Sequence, residues 1–112
     1  MTGREFLTEV IRSDLHLCGC GEGQSEQAAF LIRDILRTIE DESAEGRPFE
    51  RVVSLVGTPG AAYLVLTAML QADLIEYGGR ITNPWATERG RRFAFELDQY
   101  ADEDALADML DG

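Results

Sequence analysis

Lysine is absent from this chain, so all 10 basic residues are arginines, and 21 acidic residues outweigh them to give a net charge of −11. Non-specific nucleic-acid affinity comes mainly from Lys and Arg neutralising phosphates. This balance therefore works against DNA, RNA and anionic membranes, and it favours solubility and basic protein partners. With many Ala, Gly and Asp, the arginine-only usage reads as a GC-rich coding background more than as adaptation to salt. Histidine occurs once (His16) and cysteine twice (Cys18 and Cys20), too few for a disulfide framework or a paired Cys/His zinc cluster. No apolar run reaches the ~20 residues that a membrane span needs. The opening Thr2-Gly3-Arg4-Glu5-Phe6-Leu7 passes straight into an amphipathic pattern, which reads as a chain with no signal peptide and a cytoplasmic default.

What is present is enough for one globular domain: 112 residues, 45% of them hydrophobic. Helical spacing of Phe6, Leu7, Val10, Ile11 and Leu15 predicts a first helix over Gly3–Leu15. A glycine-punctuated break, residues 16–23, follows, and Ser25 is the expected N-cap of a second helix. That helix carries Ala28, Leu31, Ile32, Ile35, Leu36 and Ile39 on one face. Residues 41–47 read as an acidic loop, and Pro48 opens a third helix with Phe49, Val52, Val53 and Val56 on its apolar side. Gly57 is a helix stop, Thr58 an N-cap and Pro59 a first helical position for a fourth helix, Pro59 to Ala72. So short a connection is the one a helix-turn-helix uses.

Beyond it, Leu74–Tyr77 and Arg80–Trp85 are expected to pair as a hairpin about a tight Gly78-Gly79 turn. Thr87 caps a fifth helix with Phe93, Leu97 and Tyr100 on one face. A last helix, Asp102 to Leu110, offers Leu106, Met109 and Leu110. The string Leu74-Ile75-Glu76, a glycine, then Thr87-Glu88-Arg89-Gly90-Arg91-Arg92-Phe93 resembles the wing and closing helix of winged helix-turn-helix domains. The resemblance covers about Pro48 to Leu97 and implies a fold: a mainly α, winged-helix-like domain with a small two-stranded β-hairpin and extra N-terminal helices. The chain then divides into a helical pair (1–47), the winged-helix-like motif (48–97) and an acidic tail (98–112), all within one domain.

In winged-helix DNA binders the second helix of the motif enters the major groove. Here 100° steps place Ala61, Ala62, Val65, Leu66, Ala68, Met69 and Ala72 on the core side of that helix. Gly60, Tyr63, Leu64, Thr67 and Gln71 fall on the outer side, with no Arg, Lys or Asn for base readout. Such a face suits protein, either another partner or a second copy. The wing region is the basic patch: residues 80–97 hold Arg80, Arg89, Arg91 and Arg92 against Glu88 and Glu96, a balance of +2. With Asn83 and Trp85 it is the candidate nucleic-acid contact. The plainer alternative pairs Arg89 and Arg92 with Glu88, Glu96 or Asp98 and lays Trp85 over the core. The tail from Asp98 carries six acidic residues and no basic one, and either solvates the end of the domain or folds back over the patch.

His16, Cys18 and Cys20, with Glu22, are the other candidate chemistry. Tetrahedral zinc draws on such ligands but usually on two pairs, and a second pair is missing. The alternative has His16 closing the first helix while the cysteines pack as small apolar groups. Nucleophilic catalysis lacks an orienting third group, and Gly57-Thr58-Pro59-Gly60 lacks the lysine of a phosphate loop. The chain therefore reads as non-enzymatic and without a cofactor. Three functions stay open: a protein-binding regulatory module through Gly60, Tyr63, Leu64, Thr67 and Gln71, a DNA-binding regulator through the wing patch, and a metal or redox sensor at His16, Cys18 and Cys20. In size, acidity and arginine-only basicity the chain is similar to small accessory proteins of phages of GC-rich bacteria.

Overall fold

A computed structural model describes residues 2–17, 23–41 and 48–111. The architecture is mainly helical with one small antiparallel sheet. Helix α1 spans Gly3–Thr8, capped by the Thr2 hydroxyl, and runs on as a π-helical stretch, Glu9–Asp14. The wider turns show in the bonds that close it: the Leu15 N–H donates to the Val10 carbonyl and the Leu17 N–H to the Ile11 carbonyl. Between them His16 takes a left-handed conformation (φ 54°), so its backbone, at a position glycine usually fills, turns the chain out of the helix.

Helix α2, Gln24–Glu40, lies at the centre of the fold, in contact with α3, α5, α6 and the sheet. Ser25 is not its N-cap. Gly23, left-handed at φ 74°, holds that position, and the Ser25 hydroxyl donates instead to the Leu17 carbonyl at 2.6 Å. The start of α2 is thereby tied to the end of α1. The apolar face is as spaced, with Ile32, Ile35 and Leu36 buried, and Ala29 buried beside them.

Helices α3 (Pro48–Val56) and α4 (Pro59–Gln71) meet at 106°. Gly57, at φ 101°, ends α3. The Thr58 side chain then accepts from the Ala61 N–H at 3.0 Å, and Pro59 occupies the first turn. Ala62, Leu66 and Met69 of α4 are buried, whereas Ala68, expected on the core side, is exposed. A Schellman motif closes α4: Asp73 sits left-handed at φ 61°, its N–H donates to the Leu70 carbonyl, and the Leu74 N–H donates to that of Met69.

The hairpin is shorter and its loop longer than the sequence suggests. Strands β1 (Ile75–Tyr77) and β2 (Pro84–Ala86) pair Ile75 with Ala86, Glu76 with Trp85 and Tyr77 with Pro84. Residues 78–83 form the connection, with the Asn83 N–H donating to the Arg80 carbonyl, so the turn does not close at Gly78-Gly79. Burial sets this register. It places Ala86 and Pro84 on the inward face with Ile75, whereas a two-residue turn would set Thr82 opposite Ile75.

Helix α5, Glu88–Leu97, buries Phe93 and Leu97 and is capped by Thr87, which accepts from the Gly90 N–H at 3.0 Å. Helix α6, Glu103–Asp111, buries Leu106, Met109 and Leu110. The tail does fold back, but onto α1 and α2: Arg4 and Arg12 donate to the Met109 and Leu110 carbonyls at 3.0 and 2.6 Å. Cations at a helix C-terminus are favourable. Among the described residues no single helix is long and apolar enough to cross a membrane.

Candidate functional site

Residues 52–72 contain no charged side chain, in a chain whose composition is 28% charged. Both helices of the α3–α4 corner draw on this stretch. Inward, it supplies the core with Val52, Ala62, Leu66 and Met69. Outward, it leaves Leu64 76% exposed, Tyr63 45% and Leu55 44%. Gly60, Thr67 and Gln71 are exposed with them, on the side of α4 where helical spacing places them, and Ala68, which spacing places inward, is exposed as well. Tyr63 packs against Phe49 of α3, ring centroids 4.8 Å apart and tilted at 50°. Such a pair is worth about 0.5–1.5 kcal/mol beyond area burial. Gly60 lies within α4, outside the left-handed region, and a Cβ added there would meet nothing within 4 Å. The fold of a single copy therefore does not require glycine at that position.

The second candidate surface, the hairpin and the start of α5, is less basic than its sequence suggests, because folding consumes most of its arginines. Arg89 points inward: it pairs with Asp14, donates to the Ala72 carbonyl at 3.3 Å and lies 5.2 Å from the Phe6 ring centre. It thus joins the end of α1, the end of α4 and the start of α5. Arg92 stacks over the same Phe6 at 4.2 Å and reaches Glu96 at 3.9 Å. Arg91 donates to Glu40 of α2 at 2.7 Å. Among the described residues only Arg80, on the exposed loop beside Asn83, makes no ion pair within this patch. Among the described residues the ion pairs of Arg89 and Arg92 are with Asp14 and Glu96, in place of Glu88 and Asp98. Asp98 is held by Arg33 and Arg37 of α2, and the partners of Arg89 and Arg91 come from distant parts of the chain.

Trp85 does not cover the core. It is 45% exposed on the outer face of β2, opposite Glu76 and packed over Gly78, where an added Cβ would lie 3.5 Å from the indole. The cleft beside it is lined by Asp73, Glu76 and Glu88 as well as by Arg89 and Arg91, so carboxylates share the surface a phosphate would approach. His16 is exposed at its left-handed position, closing α1 through its backbone. Cys18, Cys20 and Glu22 lie outside the described residues, and so does the metal or redox reading that rests on them.

Leu55, Ala68 and Phe95 belong to the exposed apolar surface and were not singled out by spacing. Phe95 is 66% exposed and follows the buried Phe93 by two positions, about 200° around a helix, so its outward direction was readable. Leu55 lies beside the inward Val52–Val56 edge, and no local pattern marks it as exposed. Comparison with protein-family models, with curated proteins and with solved structures gives no match.

Proposed function

We propose that this chain is a small, non-enzymatic protein-binding regulatory module on a winged-helix-like scaffold, in which the helix that would read DNA contacts protein instead. The observation that carries this reading is the outer face of α4, uncharged along its length and presenting Leu64 at 76% exposure beside Tyr63 at 45%. Base readout needs bidentate donors such as Arg, Asn or Gln near the N-terminal end of the helix. Here that end is Pro59, Gly60 and Ala61. Exposed aromatic and aliphatic side chains on a rigid helix are instead the usual anchors of protein interfaces. The helix-turn-helix part of the reading is supported by the 106° angle between α3 and α4 and the short glycine-containing turn between them. On this reading the protein works in the cytoplasm.

A second reading, DNA contact through the wing, is favoured by one observation: Arg80 and Asn83 are exposed on the hairpin loop. Capture from a cell extract separates the two. The immobilised chain is compared with a Tyr63→Ala/Leu64→Arg variant and an Arg80→Ala/Arg91→Ala variant. The protein-binding reading expects bound protein to be lost with the first variant and retained, nuclease-insensitively, with the second. Capture that depends on nucleic acid and on the arginines, with Tyr63 and Leu64 silent, would replace it with the DNA reading.

A further inference from the structure

We infer that the occupant of the α4 face is a second copy of this chain, packed antiparallel across a two-fold axis. The inference rests on the protein-binding reading above and names its partner. Charge makes the first argument. Two copies each carrying −11 repel, and like charges set opposite one another across an interface cost several kcal/mol. A two-fold interface places one patch against itself, so any charged patch of uniform sign opposes its own association. The stretch 52–72 spares the contact itself any like-charge pairing, because it brings no formal charge there, and leaves only the longer-range repulsion between the two acidic bodies. A basic partner, by contrast, would gain nothing from this neutral face and would be drawn to the acidic surfaces elsewhere.

Shape makes the second argument. Gly60, Leu64, Thr67 and Gln71 follow a 4-3-4 spacing, the seam spacing of paired helices. In an antiparallel pair about a two-fold between positions 64 and 67, Leu64 of each copy enters the hole formed by Leu64, Thr67, Ala68 and Gln71 of the other. Gln71 of each then lies over Gly60 of the other. All of these side chains are exposed in the single copy. The missing side chain at Gly60, which the fold of one copy does not need, is accounted for by this approach. Phe49 of α3, against Tyr63 of α4, would flank the seam. The seam is one helix of 13 residues, which places the contact in the weak, small-interface class.

Sedimentation equilibrium of the whole chain, from about 1 to about 500 µM, covers that class. Wild type, Leu64→Arg and Phe95→Arg are compared at low and raised salt, with helicity checked by circular dichroism. Leu64 and Phe95 are both well exposed, so both variants should fold. The expected result is a monomer–dimer equilibrium that tightens with salt as repulsion is screened. Leu64→Arg should weaken it at least tenfold, even though it lowers the net negative charge, and Phe95→Arg should not weaken it. A monomer throughout would overturn the second-copy inference and leave the protein-binding reading to the capture experiment. A dimer indifferent to Leu64→Arg would also overturn it, and with capture equally indifferent the wider reading would fall as well.

Discussion

Glycine plays opposite parts at two positions of this chain. Gly90 is buried where α5 crosses the end of α4, and an added Cβ would run into the Leu74 carbonyl and press on Leu36 at 3.1 Å. Backbone cannot yield as a side-chain tip can, so Gly90→Ala should cost more than about 2 kcal/mol. Gly60→Ala meets open space in a single copy and should be neutral or stabilising, by up to about 1 kcal/mol. Denaturant unfolding of the two variants as dilute monomer checks both signs; equal losses would contradict this account of Gly90. The sequence shows Gly90 only as one letter between Arg89 and Arg91, because the reason for it is a contact between α5 and the chain after α4. Arg89 is similar. Its charge was legible, but its partner Asp14 lies 75 positions away, and no local pattern joins them.

At the scale of elements, capping and periodicity made most of the fold readable. Thr58, Pro59, Gly57 and Thr87 act locally, and each does what its residue type favours. Misreadings arose where tertiary packing overruled local preference: the register of Ile75 with Ala86 overrode the Gly78-Gly79 turn, and the Leu17 carbonyl took the Ser25 hydroxyl. Thr87 carries more than a cap. The same hydroxyl that accepts from Gly90 donates to the Asp73 carbonyl at 2.6 Å, joining the end of α4 to the start of α5. Losing both bonds in Thr87→Ala should destabilise the fold by about 2 kcal/mol, with Thr87→Ser recovering most of it. Thermal melts decide this; a Ser variant as unstable as the Ala variant would show that the methyl group, not the hydroxyl, matters.

For the whole molecule, the net charge of −11 was visible in the sequence, but its distribution was not. Folding directs Arg89, Arg91 and Arg92 to internal partners and sends Arg4 and Arg12 to the end of α6, which leaves the apparent basic patch largely neutralised. What stands out instead is an absence of charge on α4. The helical spacing made its outer face legible, while the contact of Tyr63 with Phe49 required α3 to be placed against it. The most direct test of this face is hydroxyl-radical footprinting of the whole chain over a rising concentration series, read at its exposed large hydrophobic side chains. The account predicts that oxidation of Tyr63 and Leu64 falls as concentration rises, while Trp85 and Phe95 stay as reactive as in dilute solution. Protection of Trp85 or Phe95 with Tyr63 and Leu64 unchanged would contradict it.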